Sequence, residues 1–172
     1  LVGSEMCIRD RSYIQTPNFD IYFYGENQDL AEFTSKVSEE AYEQISTHLA
    51  WDLKNRVSIL VYNSHNEFQQ TNVVGVYMSE GIGGVTELFK NRVVFPFDGD
   101  FEQFRHVIHH ELVHAMLNDM VYGGTAQNMV ASRTRVRIPL WSNEGLAEFL
   151  SSNWDTKADM VLRDIALSLI HI

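Results

Sequence analysis

The sequence predicts an α+β fold: a small twisted sheet with one covering helix, followed by a long helix and then a shorter helix that carries paired glutamates. Three observations predict it. Two β-rich runs, Phe19–Tyr24 (FDIYFY) and Val57–Tyr62 (VSILVY), enclose a stretch whose apolar residues recur at helical spacing. A second long stretch of helical period starts at Phe101. The apolar share, 45% of 172 residues with 12% aromatic, suffices for one compact domain with its own core.

Taken in order, FDIYFY is aromatic and β-branched with partial alternation, a strand pattern. Gln28–Leu49 carries Leu30, Phe33, Val37, Ala41, Ile45 and Leu49 at spacings of three and four, an amphipathic helix with an acidic outer face. VSILVY is a second strand, and Asn63–Gln70 a loop with a helical turn. Val73–Met78 and Arg92–Phe97 read as two further strands joined through Gly81, Gly83 and Gly84. Pro96 cannot donate to a ladder, which predicts an edge position for the last of them. Asp100 is an N-cap candidate with Gln103 three residues on. Phe104, Val107, Ile108, Leu112, Ala115 and Met116 then predict a helix to about Met120, stopped at Gly123-Gly124. The stretch to Pro139 is polar, with Arg133, Arg135 and Arg137 alternating as a solvated loop or edge strand does. A helix from Pro139-Leu140 to about Ser152, and another near Thr156, complete the reading.

The two ends read differently from the body. Leu1–Arg11 (LVGSEMCIRDR) back-translates without mismatch onto a transposon-end adapter used in sequencing libraries, and Leu167–Ile172 (LSLIHI) onto its reverse complement. Both are expected to be translated adapter, with residues 12–166 a single domain cut from a longer protein. Native genomic DNA continuing through both ends would refute this. Cys7, the one cysteine, falls in the adapter, and a cysteine-free body fits either redox compartment. The net charge of -10 and the absence of a basic patch exclude nucleic acid as a partner. No apolar run is long enough for a transmembrane segment in this fragment.

The chemistry concentrates in His110-Glu111-Leu112-Val113-His114. Histidines four apart on a helix project from one face, so both imidazoles can reach a single zinc at about 2.0–2.1 Å. Glu111 projects to the side, where a carboxylate can take a proton from a water whose pKa zinc lowers towards about 7. Downstream, Trp141-Ser142-Asn143-Glu144-Gly145-Leu146-Ala147-Glu148-Phe149 sets two carboxylates one turn apart. One can bind the metal while the other holds a ligating histidine. Leu146, Phe149 and Leu150 border them with apolar surface. Glu144 is the expected ligand, because it stands near the helix start beside Gly145, where a missing side chain admits another backbone. Glu148, one turn deeper, is placed to hold an imidazole. Tyr122 is a candidate oxyanion donor. His106 and His109 are expected to stay off the metal, and His48 and His65 to lie at the surface.

HELVH followed by NEGLAEF resembles the gluzincin metallopeptidases, specifically the bacterial peptidase MA-like domains with an EGLAE-type second motif; the resemblance covers most of residues 12–166. It implies a zincin-like fold, a Zn2+ ion on His110, His114 and Glu144, Glu111 as general base, and Glu148 behind a ligating histidine. The second carboxylate is a glutamate here, where the best-known gluzincins have aspartate. The resemblance further implies an endo- or aminopeptidase acting on a peptide or protein, an extracytoplasmic location and a C-terminal β-propeller in the full-length protein. A peptide would add to a sheet edge near Tyr77 or near Val94. Two alternatives stand beside it. One is a catalytically inactive zinc-binding scaffold or interaction domain of the cell envelope. The other is an envelope binding domain without metal.

Overall fold

The computed structural model describes residues 11–25, 27–69, 84–87, 91–123, 138–152, 159–160 and 163–164. In chain order these form β1 (Arg11–Gln15), β2 (Phe19–Tyr24), α1 (Gln28–Leu49), β3 (Val57–Tyr62), α2 (His65–Gln69), β4 (Val85–Glu87), β5 (Arg92–Pro96), α3 (Phe101–Tyr122) and α4 (Leu140–Ser151). Residues 159–160 and 163–164 are also helical. The expected strand Val73–Met78, the alternating Arg133, Arg135 and Arg137, and the start of a helix near Thr156 lie outside the described residues.

The architecture is mixed α and β around one small sheet in the order β1-β2-β3-β5-β4. β2, β3 and β5 run parallel, and β1 and β4 flank them antiparallel. Parallel neighbours need a long crossover, which α1 supplies between β2 and β3. The register aligns Ile21 with Ile59 and Ile59 with Val93. Period-two alternation therefore sends Phe19, Ile21, Phe23, Val57, Ile59, Val61, Val93 and Phe95 to one face, where α1 and α3 bury them in the main core. Leu60, Tyr62 and Val94 point the other way and pack with Phe68 of α2. VSILVY thus reads as nearly continuous apolar sequence because β3 is covered on both sides.

Two expectations about the sheet are corrected. β5 is an interior strand: it pairs with β3 on one side and β4 on the other. Pro96 is accommodated because Phe97 N–H turns to Tyr62 O, at 2.9 Å. By alternation the missing donor of Pro96 faces the β4 side, and there the β4 pairing reaches only to Val94 among the described residues. Val94 is accordingly buried and not at an edge; β4 is the outer strand on that side among the described residues, and Tyr77 lies outside them.

α3 carries the site, and its ends are fixed locally. The Asp100 carboxylate accepts from the N–H groups of Glu102 and Gln103, at 2.8 and 3.2 Å. At the other end Gly123 adopts a left-handed φ of 69° and donates its N–H to Asp119 O. Two long-range contacts orient the helix. Arg105 pairs with Glu40 of α1 at 2.7 Å. Asp119, 1% exposed, accepts from Trp51 Nε1 at 3.0 Å and from Lys54 N–H at 3.1 Å, tying the loop after α1 to the last turns of α3. No helix among the described residues is long and apolar enough to cross a membrane.

Candidate metal centre

His110 and His114 stand one turn apart on the same side of α3, as a four-residue spacing dictates. Phe104, Ile108, Leu112 and Met116 are buried in the core, so α3 is anchored on the sheet and presents the histidines towards α4. α4 lies alongside, attached through buried Ala147 with Leu146 and Leu150 half-buried. Its Glu144 reaches the pair: Glu144 Oε2 is 3.4 Å from His110 Nε2 and 3.4 Å from His114 Nε2. The two Nε2 atoms are 3.2 Å apart.

Three atoms, from three side chains, thus form a nearly equilateral triangle. Donors at tetrahedral positions about 2.1 Å from one ion lie about 3.4 Å from one another, so the triangle has the size of one face of a tetrahedral site. Two imidazoles and a carboxylate form a donor set that could hold a metal ion. The burial is graded. The side chain of His114 is 10% exposed, that of His110 21% and that of Glu144 50%, so the triangle has an inner side and a solvent side.

Glu148, the next turn of α4, faces the back of His110: its Oε2 lies 3.5 Å from His110 Nδ1. The same carboxylate is met by His106 Nε2 at 3.6 Å and accepts from Ser152 Oγ at 3.0 Å, while Ser152 Oγ also lies 3.3 Å from His106 Nδ1. His106, His110 and Glu148 make a second, looser group of metal-ligating types. It shares His110 with the first group and offers that residue's other ring nitrogen. An imidazole whose Nε2 faces the tighter triangle is left with Nδ1 for a carboxylate, the arrangement that fixes tautomer and ring orientation at metal sites. His114 Nδ1 is buried with no hydrogen-bond partner among the described residues.

The Glu111 carboxylate meets β4, where Thr86 Oγ1 lies 2.6 Å from its Oε2. Gly84, just before β4, also lies against the Glu111 side chain. Neither contact was anticipated from sequence, nor were those of His106 and Ser152 with Glu148. Those of Glu111 with β4 and of His106 with α4 join positions far apart in the chain with no motif between them, whereas Ser152 meets Glu148 from four residues on.

The other expected positions fall elsewhere. Tyr122 closes α3 half-buried, eight residues beyond His114 and about 12 Å further along the axis by helical rise. His109 points into the protein with Nε2 buried and unpartnered among the described residues. Burial, then the nearby Arg105 and His106, hold its pKa below the usual histidine value. His48 is exposed and its Nδ1 lies 2.7 Å from Gln44 O; His65 opens α2. Two reasons given for the carboxylate pair need correcting. Phe149 is 74% exposed, so it turns to solvent and does not wall the glutamates. A side chain at Gly145 would meet nothing within 4 Å, so no backbone approaches there among the described residues.

A scan against protein-family models gave no match for the chain, and a search of curated proteins likewise gave none.

Proposed function

We propose that the chain is a zinc-dependent endo- or aminopeptidase. The observation that carries this reading is the triangle of His110 Nε2, His114 Nε2 and Glu144 Oε2, with the carboxylate of Glu111 on the same helix. Imidazole nitrogens with one carboxylate suit zinc, and three protein ligands are the number that leaves a position for reactants. When bound, zinc polarises a scissile carbonyl and lowers the pKa of a water molecule towards about 7. Glu111 takes the proton from the attacking water and passes it to the leaving amine. Glu148 holds His110 in the ligating orientation, and His106 and Ser152 hold Glu148. β4 brings main-chain hydrogen-bonding groups beside Glu111, onto which an extended peptide can add as a further strand. Tyr122 is given no part, because of its distance along α3.

A zinc-binding scaffold of the cell envelope is the competing reading. Against it, a purely structural site usually has four protein ligands, and a base beside the donors serves no purpose there. An extracytoplasmic location and a following β-propeller are proposed on the resemblance of HELVH and NEGLAEF alone.

The test combines elemental analysis of the purified protein with cleavage of a broad peptide library, on the wild type and on Glu111→Gln. The expected result is one zinc per chain in both and a loss of roughly 10²–10⁴ in turnover for the variant. A metal-free wild type after zinc loading sinks the reading, and near-normal turnover by zinc-loaded Glu111→Gln removes Glu111 from the mechanism.

A further inference from the structure

We propose that Gly84 and Thr86, at the rim of the sheet, form a two-sided clamp that fixes the Glu111 side chain in one rotamer, so that a single carboxylate oxygen is presented to the reaction. The inference rests on the peptidase reading for its consequence in turnover, and on geometry alone for the clamp itself. Thr86 Oγ1 is 2.6 Å from Glu111 Oε2 and 3.1 Å from Glu111 O. One hydroxyl carries one hydrogen, and the shorter, charge-assisted contact takes it. The donated bond occupies Oε2 and leaves Oε1 to receive a proton.

Gly84 works from the other side. A Cβ there would lie 2.9 Å from Glu111 Cγ, 3.1 Å from Phe95 Cδ1 and 3.1 Å from Val107 Cγ1. Phe95 is fully buried, so the strain of an added methyl cannot be relieved in that direction. The atom that must give way is Glu111 Cγ, midway along the side chain that Thr86 holds at its tip. Gly84 is therefore required for space. Thr86 and Gly84 act through Glu111, which makes them positioning residues.

The experiment uses the full chain loaded with zinc and compares Thr86→Val, Thr86→Ser and Gly84→Ala. Valine keeps the volume and removes the hydroxyl; serine keeps the hydroxyl. Thr86→Val is expected to lower kcat roughly 10–100-fold, in the range that misplacing a reacting group costs, with KM changed less than about twofold and one zinc retained. Thr86→Ser should recover most of the rate, and Gly84→Ala should lose kcat while still binding zinc. Unfolding midpoints of Thr86→Val, Glu111→Ala and the double variant give a readout independent of activity: the contact predicts non-additive shifts. Additive midpoints overturn the clamp whatever the activities are. Non-additive midpoints with unchanged kcat in Thr86→Val overturn its positioning role. A wild type that binds zinc and cleaves nothing overturns the peptidase reading, and the midpoints still decide the clamp.

Discussion

Glu144 and Glu148 are one helical turn apart and meet opposite sides of the same imidazole, Nε2 of His110 for the first and Nδ1 for the second. The consequences of losing them should differ in kind. Glu144→Ala leaves two donors where a catalytic site needs three, and should be metal-free at zinc concentrations that still load Glu148→Ala. Glu148→Ala should keep its metal and lose about 10–100-fold in affinity or rate. Titrating both variants with zinc while following turnover checks this; a tightly loaded Glu144→Ala would move the site. His110→Ala and His114→Ala should behave as Glu144→Ala does. At this scale the sequence was informative wherever a helix does the projecting. The spacing of His110 and His114, and of Glu144 and Glu148, sets which side chains share a face before any tertiary contact is known. It was silent on Thr86, 25 residues from Glu111, and on Ser152, 46 residues from His106, because such contacts are fixed by the packing of separate elements.

Among the elements, α1 and α3 were legible because long amphipathic helices impose their period on many residues, and Asp100 and Gly123 mark the ends of α3 by local chemistry. β1 and β4 were not. β1 is an outer strand with Tyr13 63% exposed, and β4 has three residues, so neither shows the alternation a buried face enforces. Strand order was equally hidden: Pro96 argued for an edge, and only the pairings on both sides of β5 show it to be interior. Two side chains bind these elements together and yield predictions. Asp119 is the buried acceptor for Trp51 and Lys54, so Asp119→Ala strands the donors and should cost about 2 kcal/mol. In a thermal melt that is a fall of roughly 4–8 °C for a domain of this size; an unchanged Tm would show the tether to be idle. Arg56, at the entry to β3, donates to Asp20 and to the carbonyls of Pro17 and Phe19, joining the β1–β2 turn to the sheet. The Arg56 hydrogen bond, chiefly, holds the Asp20 carboxyl below its ordinary value of 3.8. A depressed carboxylate contributes stability that is present above the unfolded value and lost as pH falls through the folded one. Urea unfolding should therefore show a gap between wild type and Arg56→Ala that narrows from about pH 5 to pH 3. A gap that widens towards acid would reject the linkage.

The described residues divide into a well-anchored part and a lightly anchored one. α1, β2, β3, β5 and α3 share a continuous core, and much of the catalytic reading depends on that rigidity. α4 contributes one fully buried side chain, Ala147, while Leu140, Trp141 and Phe149 are 73%, 80% and 74% exposed. Yet α4 supplies both Glu144 and Glu148. If zinc joins Glu144 to the two histidines of α3, it is a cross-link between the parts, and its removal should be felt unevenly. At free zinc a hundred times the dissociation constant, binding stabilises the closed arrangement by about 2.7 kcal/mol, on the order of 10² in an opening equilibrium. Chelation should therefore raise hydrogen exchange across Leu140–Ser151 by up to about that factor. Amides of β2, β3, β5 and α1 should change little, because their core does not include the ligands. The measurement is peptide-resolved deuterium uptake with and without chelator, repeated on His114→Ala. That variant should already show the fast pattern in α4 and respond no further to chelation. Uniformly faster exchange through the sheet would mean that the metal holds the entire domain. Unchanged α4 exchange on loss of bound zinc would mean that Glu144 is not joined to the histidines through it.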